Sequence, residues 1–527
     1  MTSSARWVSA GILVLAFVLR VAWLDIKPAH FDEGVNGYFV DQITHQGYYH
    51  YDPTNFHGPL HFYVLFVSQT LFGRSLWALR LPIVLVSTCC VAGVLAFRRY
   101  FEDRVCQIAA LLMAISPGMV FYGRYAIHES WLLLFLLMTV WGLLGLWRHG
   151  ERRDLWAVAL GTTGMILTKE TWIIHIAAFL LAAPCLYYYE KLSGSQPWPR
   201  SEPKFSRSEV GVAVAVCALI VVFFYSGGFL DWSSLPGLWE GFAVWTQTGV
   251  AGKTGHEKEW WYWLQTMGRY ELPALLGLGA AFALLAPRMD RAARYLAIYG
   301  LGALIAYSII PYKTPWCLIS LIWPFYFVFG LAATYAMRQV DVPTSAVFTG
   351  LLALFSLAAS LKLNFHDFTD ENEPYVYVQT LPDVNLLLDP LRTLVARDPE
   401  NYFLTGHLIG TEQYPFCWLL ADYPRIDYIS ADDLPEEPDA AFLLVDQSLV
   451  EKTEPKLRNH YFKIPVRIRG FSAESEVLYL DQAIFLPFVP EKTARFIPTR
   501  RLNEMPKDEA PKEQVPEKAV EPDAPSR

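Results

Sequence analysis

Charge is scarce in this sequence: Asp, Glu, Lys and Arg make up 18% of 527 residues, against about 25% in an ordinary soluble protein. So dilute a supply of charge does not suit a single water-exposed globule of this length. The seven cysteines include no CxxC pair, and six of them (Cys89, Cys90, Cys106, Cys185, Cys217, Cys317) lie in or near apolar runs, with only Cys417 beyond them. That spacing excludes a zinc ribbon and a disulfide scaffold. No GxGxxG follows a strand-like run, which argues against a nucleotide site, and no internal repeat marks a solenoid. A formal net charge of −8, with no stripe of basic and aromatic residues, argues against nucleic acid as a partner.

What the sequence has instead is apolar length. Aromatics reach 15% and apolar residues 53%. The apolar runs fall at about 6–24, 79–97, 105–122, 130–147, 155–168, 171–189, 209–226, 271–286, 293–311, 316–336 and 343–361. Each is read as long enough to cross a hydrocarbon layer of about 30 Å as a helix. The first lacks a small-residue cleavage site and precedes many more, so it reads as an uncleaved span. Orientation follows from Lys and Arg. With the N-terminus inside, the inner loops carry Arg98, Arg99 and Arg104, then Arg148, Arg152 and Arg153, then Lys191, Arg200, Lys204 and Arg207. Arg288, Arg291, Arg294 and Arg338 complete them. Outer loops hold only isolated cations: Arg124, Lys169, Lys253, Lys258, Arg269 and Lys313. The expected architecture is a polytopic α-helical membrane protein of about 11 spans, N-terminus inside and C-terminus outside, over residues 1–361. Its large outer loops are 25–78 and 227–270. Residues 60–72 are too short to span and read as a helix lying in the outer interface.

This topology gathers the polar residues on one face. The first outer loop offers Asp32, Glu33, Asp41, Asp52 and His57; the second runs Tyr122-Gly123-Arg124 to His128-Glu129; the third is the turn Lys169-Glu170. The fourth contains Gly252-Lys253-Thr254-Gly255-His256-Glu257-Lys258 and the fifth Pro311-Tyr312-Lys313-Thr314-Pro315-Trp316. Ten of the twelve histidines fall outside. A carboxylate suits a general base for a hydroxyl proton, and lone cations suit a phosphate leaving group. Charges at span ends are costly unless paired or functional, which singles out Glu129, Lys169, Glu170 and Lys313. Plainer readings stay open. Asp32-Glu33 suits a solvated helix N-terminus, Lys169 and Lys313 suit snorkelling anchors, and Arg124 can pair with Glu129. His57 and His61 have i, i+4 spacing but no third ligand for a metal.

These residues, in this order, resemble the lipid-linked-sugar glycosyltransferases of the GT-C fold. The closest branch is the protein O-mannosyltransferase and aminoarabinose transferase group, and within it an Agl23-like prokaryotic subfamily. The matching features are Asp32-Glu33 after the first span, His57-Gly58-Pro59 before the 60–72 helix, Ser116-Pro117 with Tyr122-Gly123-Arg124 and Glu129, and the Leu167-Thr168-Lys169 turn. Gly58 departs from the family, where a second Pro or a Lys-Pro-Pro is usual. The resemblance implies an inverting transferase moving a monosaccharide from a polyprenyl-phosphate donor to a hydroxyl acceptor on protein, lipid or glycan. Asp32 and Glu33 would be catalytic. Arg124, Glu129, Lys169, Glu170, Lys313, His57 and His256 would bind the donor's phosphate or sugar. A divalent metal is a candidate cofactor, with His57 and Glu129 as its candidate ligands. The expected location is a prokaryotic inner membrane with the site facing the periplasm or exterior. A flippase of lipid-linked sugars, or an accessory subunit, is the alternative.

After residue 361 globular patterning takes over. Residues 362–490 read as an extracytoplasmic Rossmann-like α/β domain with a helix at 383–396 and strands near 402–404, 425–429, 441–445, 460–468 and 477–479. Residues 491–527, rich in Pro, Glu and Lys, read as a disordered tail.

Overall fold

A computed structural model of the protein describes residues 3–194, 201–251, 255–283, 290–339, 341–470 and 475–498. Lys253 with its neighbours Gly252 and Thr254, the inner-loop residues Arg200 and Arg288, and the tail from 499 onward lie outside them.

The chain forms two compact units. The first is helical and runs to Leu381, taking in Tyr414–Leu419 and Arg469 as well. Its helices are α1 (Ser3–Val21), α2 (Phe31–Gln46), α3 (Leu60–Phe72), α4 (Leu76–Ala96), α5 (Asp103–Ile115), α6 (Pro117–Tyr122), α7 (Glu129–Arg148) and α8 (Arg152–Ile166). They continue as α9 (Trp172–Leu192), α10 (Arg207–Tyr225), α11 (Gly237–Ala251), α12 (Tyr262–Tyr270), α13 (Leu272–Ala283), α14 (Arg291–Ile309), α15 (Leu318–Gln339) and α16 (Val342–Phe365). Eight of these (α1, α4, α7, α9, α10, α14, α15 and α16) are long and apolar enough to cross a membrane. The outward sides of α10 and α16 expose Val212, Val214, Leu219, Val347, Leu351 and Leu354, as lipid-facing helices do.

The other three expected spans do not appear as single long apolar helices among the described residues. The run 105–122 is two helices, because Pro117 disfavours helical backbone at Ser116 and has no N–H to continue the ladder. Ser116 is extended, and its Oγ accepts from the Met119 N–H at 3.1 Å to start α6. Helix α8 starts at Arg152, three residues before the expected run, behind a reciprocal cap between Glu151 and Asp154, and ends at Ile166 before the Leu167-Thr168 turn. Helix α13 starts after the α12 terminus at Glu271, whose carboxylate accepts from Ser116 Oγ (3.0 Å), the Gly118 N–H (2.8 Å) and the Tyr326 hydroxyl (2.6 Å). The 60–72 segment is the short helix the sequence implies. It buries His61, Phe62 and Leu65 and exposes Val67, Leu71 and Phe72.

The second unit holds a mixed sheet and the helix α17 (Asn385–Arg397). Its strands are β1 (Gly406–Ile409), β2 (Ile426–Ile429), β3 (Phe442–Asp446), β4 (Tyr461–Val466), β5 (Glu476–Asp481) and β6 (Arg495–Phe496), in the order β2-β1-β3-β5-β4-β6. The β2-β1-β3 part is parallel and the remainder antiparallel. Strands form near four of the five expected places. The exception is 402–404: Pro399 opens a 3₁₀ turn there (Pro399–Phe403), and the strand begins at Gly406.

Candidate functional site

The acidic pair after the first span sits on the first turn of α2. His30 caps that helix: its Nδ1 accepts from the Asp32 N–H at 3.1 Å, and the His30 N–H donates to Glu33 at 2.9 Å. The two carboxylates then part company. Glu33 is fully buried, receives a two-pronged ion pair from Arg80 (2.6 and 2.7 Å) and accepts from the Ala126 N–H at 2.8 Å. Burial alone would push its carboxyl up, but Arg80 and the two backbone donors hold it below the usual carboxylate range. Asp32 instead faces a cavity of about 270 Å³, its side chain 37% exposed.

That cavity gathers residues from five stretches of chain: Asp32, His57, Glu129, Lys169 with Glu170, and His256, together with Trp245, Tyr312, Trp316 and Arg469. Lys169 forms a buried ion pair with Glu129, which keeps the ammonium charged despite burial. His57 Nδ1 lies 2.8 Å from Glu170. Burial pushes Glu170 up, and the neighbouring His57 and Lys169 more than offset this, leaving it below its ordinary value. The His57, His128 and His61 rings pack in a tilted row, with centroid separations of 4.4 and 4.2 Å and interplanar angles of 41° and 49°. Burial drives His61 down to about 3 and His128 well below the histidine range, so both are neutral. His256 Nδ1 lies 2.6 Å from the Tyr377 hydroxyl.

Gly58, the departure from the family pattern, has a steric cause. A Cβ there would lie 2.2 Å from the Leu167 carbonyl group. The Gly58 and Leu60 N–H groups donate to Thr168 and Leu167 carbonyls at 3.2 and 3.1 Å. The backbone before α3 is thus stitched to the Leu167-Thr168 turn, which sets His57 beside Glu170.

Two expected phosphate ligands do not line the cavity. Arg124 is buried and donates to the carbonyls of Leu19 (3.1 Å), Arg20 (3.2 Å), Ala22 (2.6 Å) and Trp23 (2.8 Å), satisfying the C-terminal end of α1. Its paired reading with Glu129 does not hold either, since Glu129 takes Lys169. Lys313 is also buried, and its ammonium donates to the Lys258 carbonyl at 3.1 Å and to that of Ile310. Glu33, expected to be catalytic with Asp32, is instead buried as Arg80's partner and does not line the cavity.

The two expected metal ligands, His57 and Glu129, are committed to Glu170 and Lys169. The acidic group among the described residues that is close enough to hold a cation is Asp367, Asp370 and Glu373, and Lys362 and Arg269 already approach it at 2.7 and 2.9 Å. Arg469 lines the cavity, its guanidinium 4.5 Å from the Phe31 ring centre. Nothing in its local sequence marked it. Lys27, buried over Phe121 and Tyr125 at 3.8 and 3.6 Å, was equally silent.

Three outcomes follow. Gly58→Ala should lower the thermal midpoint of the detergent-solubilised protein, at a cost of about 1–3 kcal/mol; an unchanged midpoint would show the 58–168 stitch to be slack. Arg124→Gln should destabilise by about 1–3 kcal/mol per buried carbonyl left without a hydrogen-bond donor, read as a lowered thermal midpoint of the detergent-solubilised protein. For pH, Glu33 and Glu170 are depressed below 4.5 in the folded state. Their stabilisation is therefore complete above the unfolded value and lost as pH falls below it. Melting curves from about pH 6 to about pH 3 should show this loss, and Glu170→Gln should lose less than wild type.

Residues 56–199 match the family model described as dolichyl-phosphate-mannose-protein mannosyltransferase. A comparison with curated proteins gives no match. Among solved structures, ArnT from Cupriavidus metallidurans bound to undecaprenyl phosphate is similar over 91% of this chain and 98% of its own, with a TM-score of 0.64 at 14% identity. The same protein in its apo state gives 0.61 at 13% identity over the same shares. The chain has the GT-C fold of membrane glycosyltransferases, carrying within 56–199 the sequence pattern of the mannosyltransferase family model.

Proposed function

We propose that the protein is an inverting glycosyltransferase that moves a monosaccharide from a polyprenyl-phosphate donor to a hydroxyl acceptor at the outer membrane face. The observation that carries this reading is the unequal treatment of the cavity's carboxylates. Glu129 and Glu170 are tied to Lys169 and His57. The nearest basic atom to the Asp32 carboxylate is His30 Nδ1 at 3.8 Å, and that atom is already accepting Asp32's own N–H. Asp32 is left as the carboxylate able to take a proton.

In the reaction, Asp32 removes the acceptor's hydroxyl proton as that oxygen bonds to the anomeric carbon. The bond from that carbon to the phosphate oxygen breaks, and polyprenyl phosphate leaves with the electron pair. Lys169 and Arg469, the Lys and Arg residues among those lining the cavity, neutralise the departing charge in a poorly hydrated space. Glu33 positions Asp32 by fixing the first turn of α2. The likeness to a transferase that was solved bound to undecaprenyl phosphate supports the donor class. The acceptor is a protein, lipid or glycan hydroxyl, and a prokaryotic inner membrane is the proposed location.

The test is release of polyprenyl phosphate from lipid extract and envelope acceptors of the same source. Asp32→Asn should lower it by about 10²–10⁴-fold with an unchanged thermal midpoint. Wild-type release by that variant would overturn the assignment of the base.

A further inference from the structure

A second cavity lies away from the proposed site, on the helices α4, α7 and α8. It is a groove of about 550 Å³ whose ten lining residues are apolar except for Arg153. Small residues, Gly93 and Ala96 on α4, recess one wall, and Leu137, Trp141 and Trp156 form much of the rest. On α8 it runs from Arg153 to Leu160, about 10 Å along the axis at the helical rise of 1.5 Å per residue. The floor is fixed: Trp141 Nε1 donates to the Ala96 carbonyl at 3.1 Å.

The mouth of this groove is basic. Glu151 is shared by Arg153 (2.6 Å), Arg99 (3.0 Å) and Lys204 (4.0 Å), Asp154 is taken by Arg99, and Arg152 reaches Glu209 at 2.7 Å. Four cations thus meet three carboxylates. Arg153, Arg152 and Lys204 remain 61%, 71% and 63% exposed. These residues stand at the Arg-rich end of the spans, whereas Glu129 and Lys169, on the cavity, stand at the far ends of α7 and α8. An apolar trough open to the hydrocarbon, with surplus positive charge at the headgroup level, is the recognition pattern for an anionic lipid.

We propose that the groove between α4, α7 and α8 holds an acyl chain of an anionic glycerophospholipid, whose phosphate meets Arg153 and its basic neighbours. The polyprenyl donor does not fit this place, because its phosphate has to reach Asp32 and Lys169 at the opposite ends of the same helices. Apolar burial cannot by itself select the occupant, since bulk lipid tails are equally apolar. Selection therefore rests on the headgroup and is weakened by salt.

The test uses the full chain, purified in mild detergent. Native mass spectrometry should show retained phospholipid, enriched in anionic headgroups over the bulk extract. Added phosphatidylglycerol micelles should raise the thermal midpoint of delipidated protein, and phosphatidylcholine micelles should not. Ala96→Phe, which fills the groove from an exposed wall position, should keep the unliganded midpoint and abolish both retention and the lipid-induced rise. Arg153→Gln should leave the groove intact and weaken phosphatidylglycerol binding about fivefold. Equal stabilisation by the two lipids, undiminished retention by Ala96→Phe, or polyprenyl phosphate as the retained mass would each overturn the proposal. None of these readouts depends on transfer activity, so failure of the proposed reaction and failure of the lipid site are separable.

Discussion

The ion pair between Glu33 and Arg80 is the interaction on which the outer half of the helical unit depends. Arg80 gives both prongs of its guanidinium to Glu33 and also donates to the carbonyls of Leu24 (2.7 Å), Lys27 (3.0 Å) and Pro28 (3.1 Å). Glu33 accepts from the backbone of His30 and Ala126. One buried pair therefore joins the exit of α1, the start of α2, the body of α4 and the segment before α7. Such a pair is tolerated only when its remaining hydrogen-bonding capacity is filled, and here the polar backbone of two irregular segments fills it. Arg124 does the same for the end of α1. Irregular backbone inside a membrane protein needs donors from somewhere, and this chain supplies them with arginine.

The cavity that results is electrically self-contained. Lys169 faces Glu129, Glu170 faces His57, and the adjacent His61 and His128 stay neutral through burial. The negatively charged donor proposed above would meet cations that already have partners, so its binding would exchange one ion pair for another. Asp32 stands outside these pairings, which is why the proposed general-base role falls to it.

Much of this could be read from the chain, and each misreading has its own physical cause. The short helix 60–72 was legible because thirteen residues cannot cross a membrane. Asp32, His57, Glu129, Lys169, Glu170 and His256 were legible as a group because topology alone puts them on one face, and the cavity lines itself with all six. Arg124 and Lys313 carried the same signal, a lone cation at an outer span end, but their partners are main-chain carbonyls, which have no signature in sequence. Arg469 was invisible for the opposite reason: it comes from a segment far along the chain whose local pattern is that of a globular domain. The continuous run at 105–122 was misjudged because hydropathy does not register the break that Pro117 imposes on Ser116.

The two letters of the acidic pair answer to different demands. Glu33 is held by folding, since removing it strands Arg80 in the interior, whereas Asp32 touches little that the fold requires. If the proposed role of Asp32 holds, a descendant that lost only the aspartate would keep its architecture and its groove while losing most of its transfer activity. On that reading, a glutamate kept without its neighbour would mark a scaffold of this architecture whose proposed base is gone.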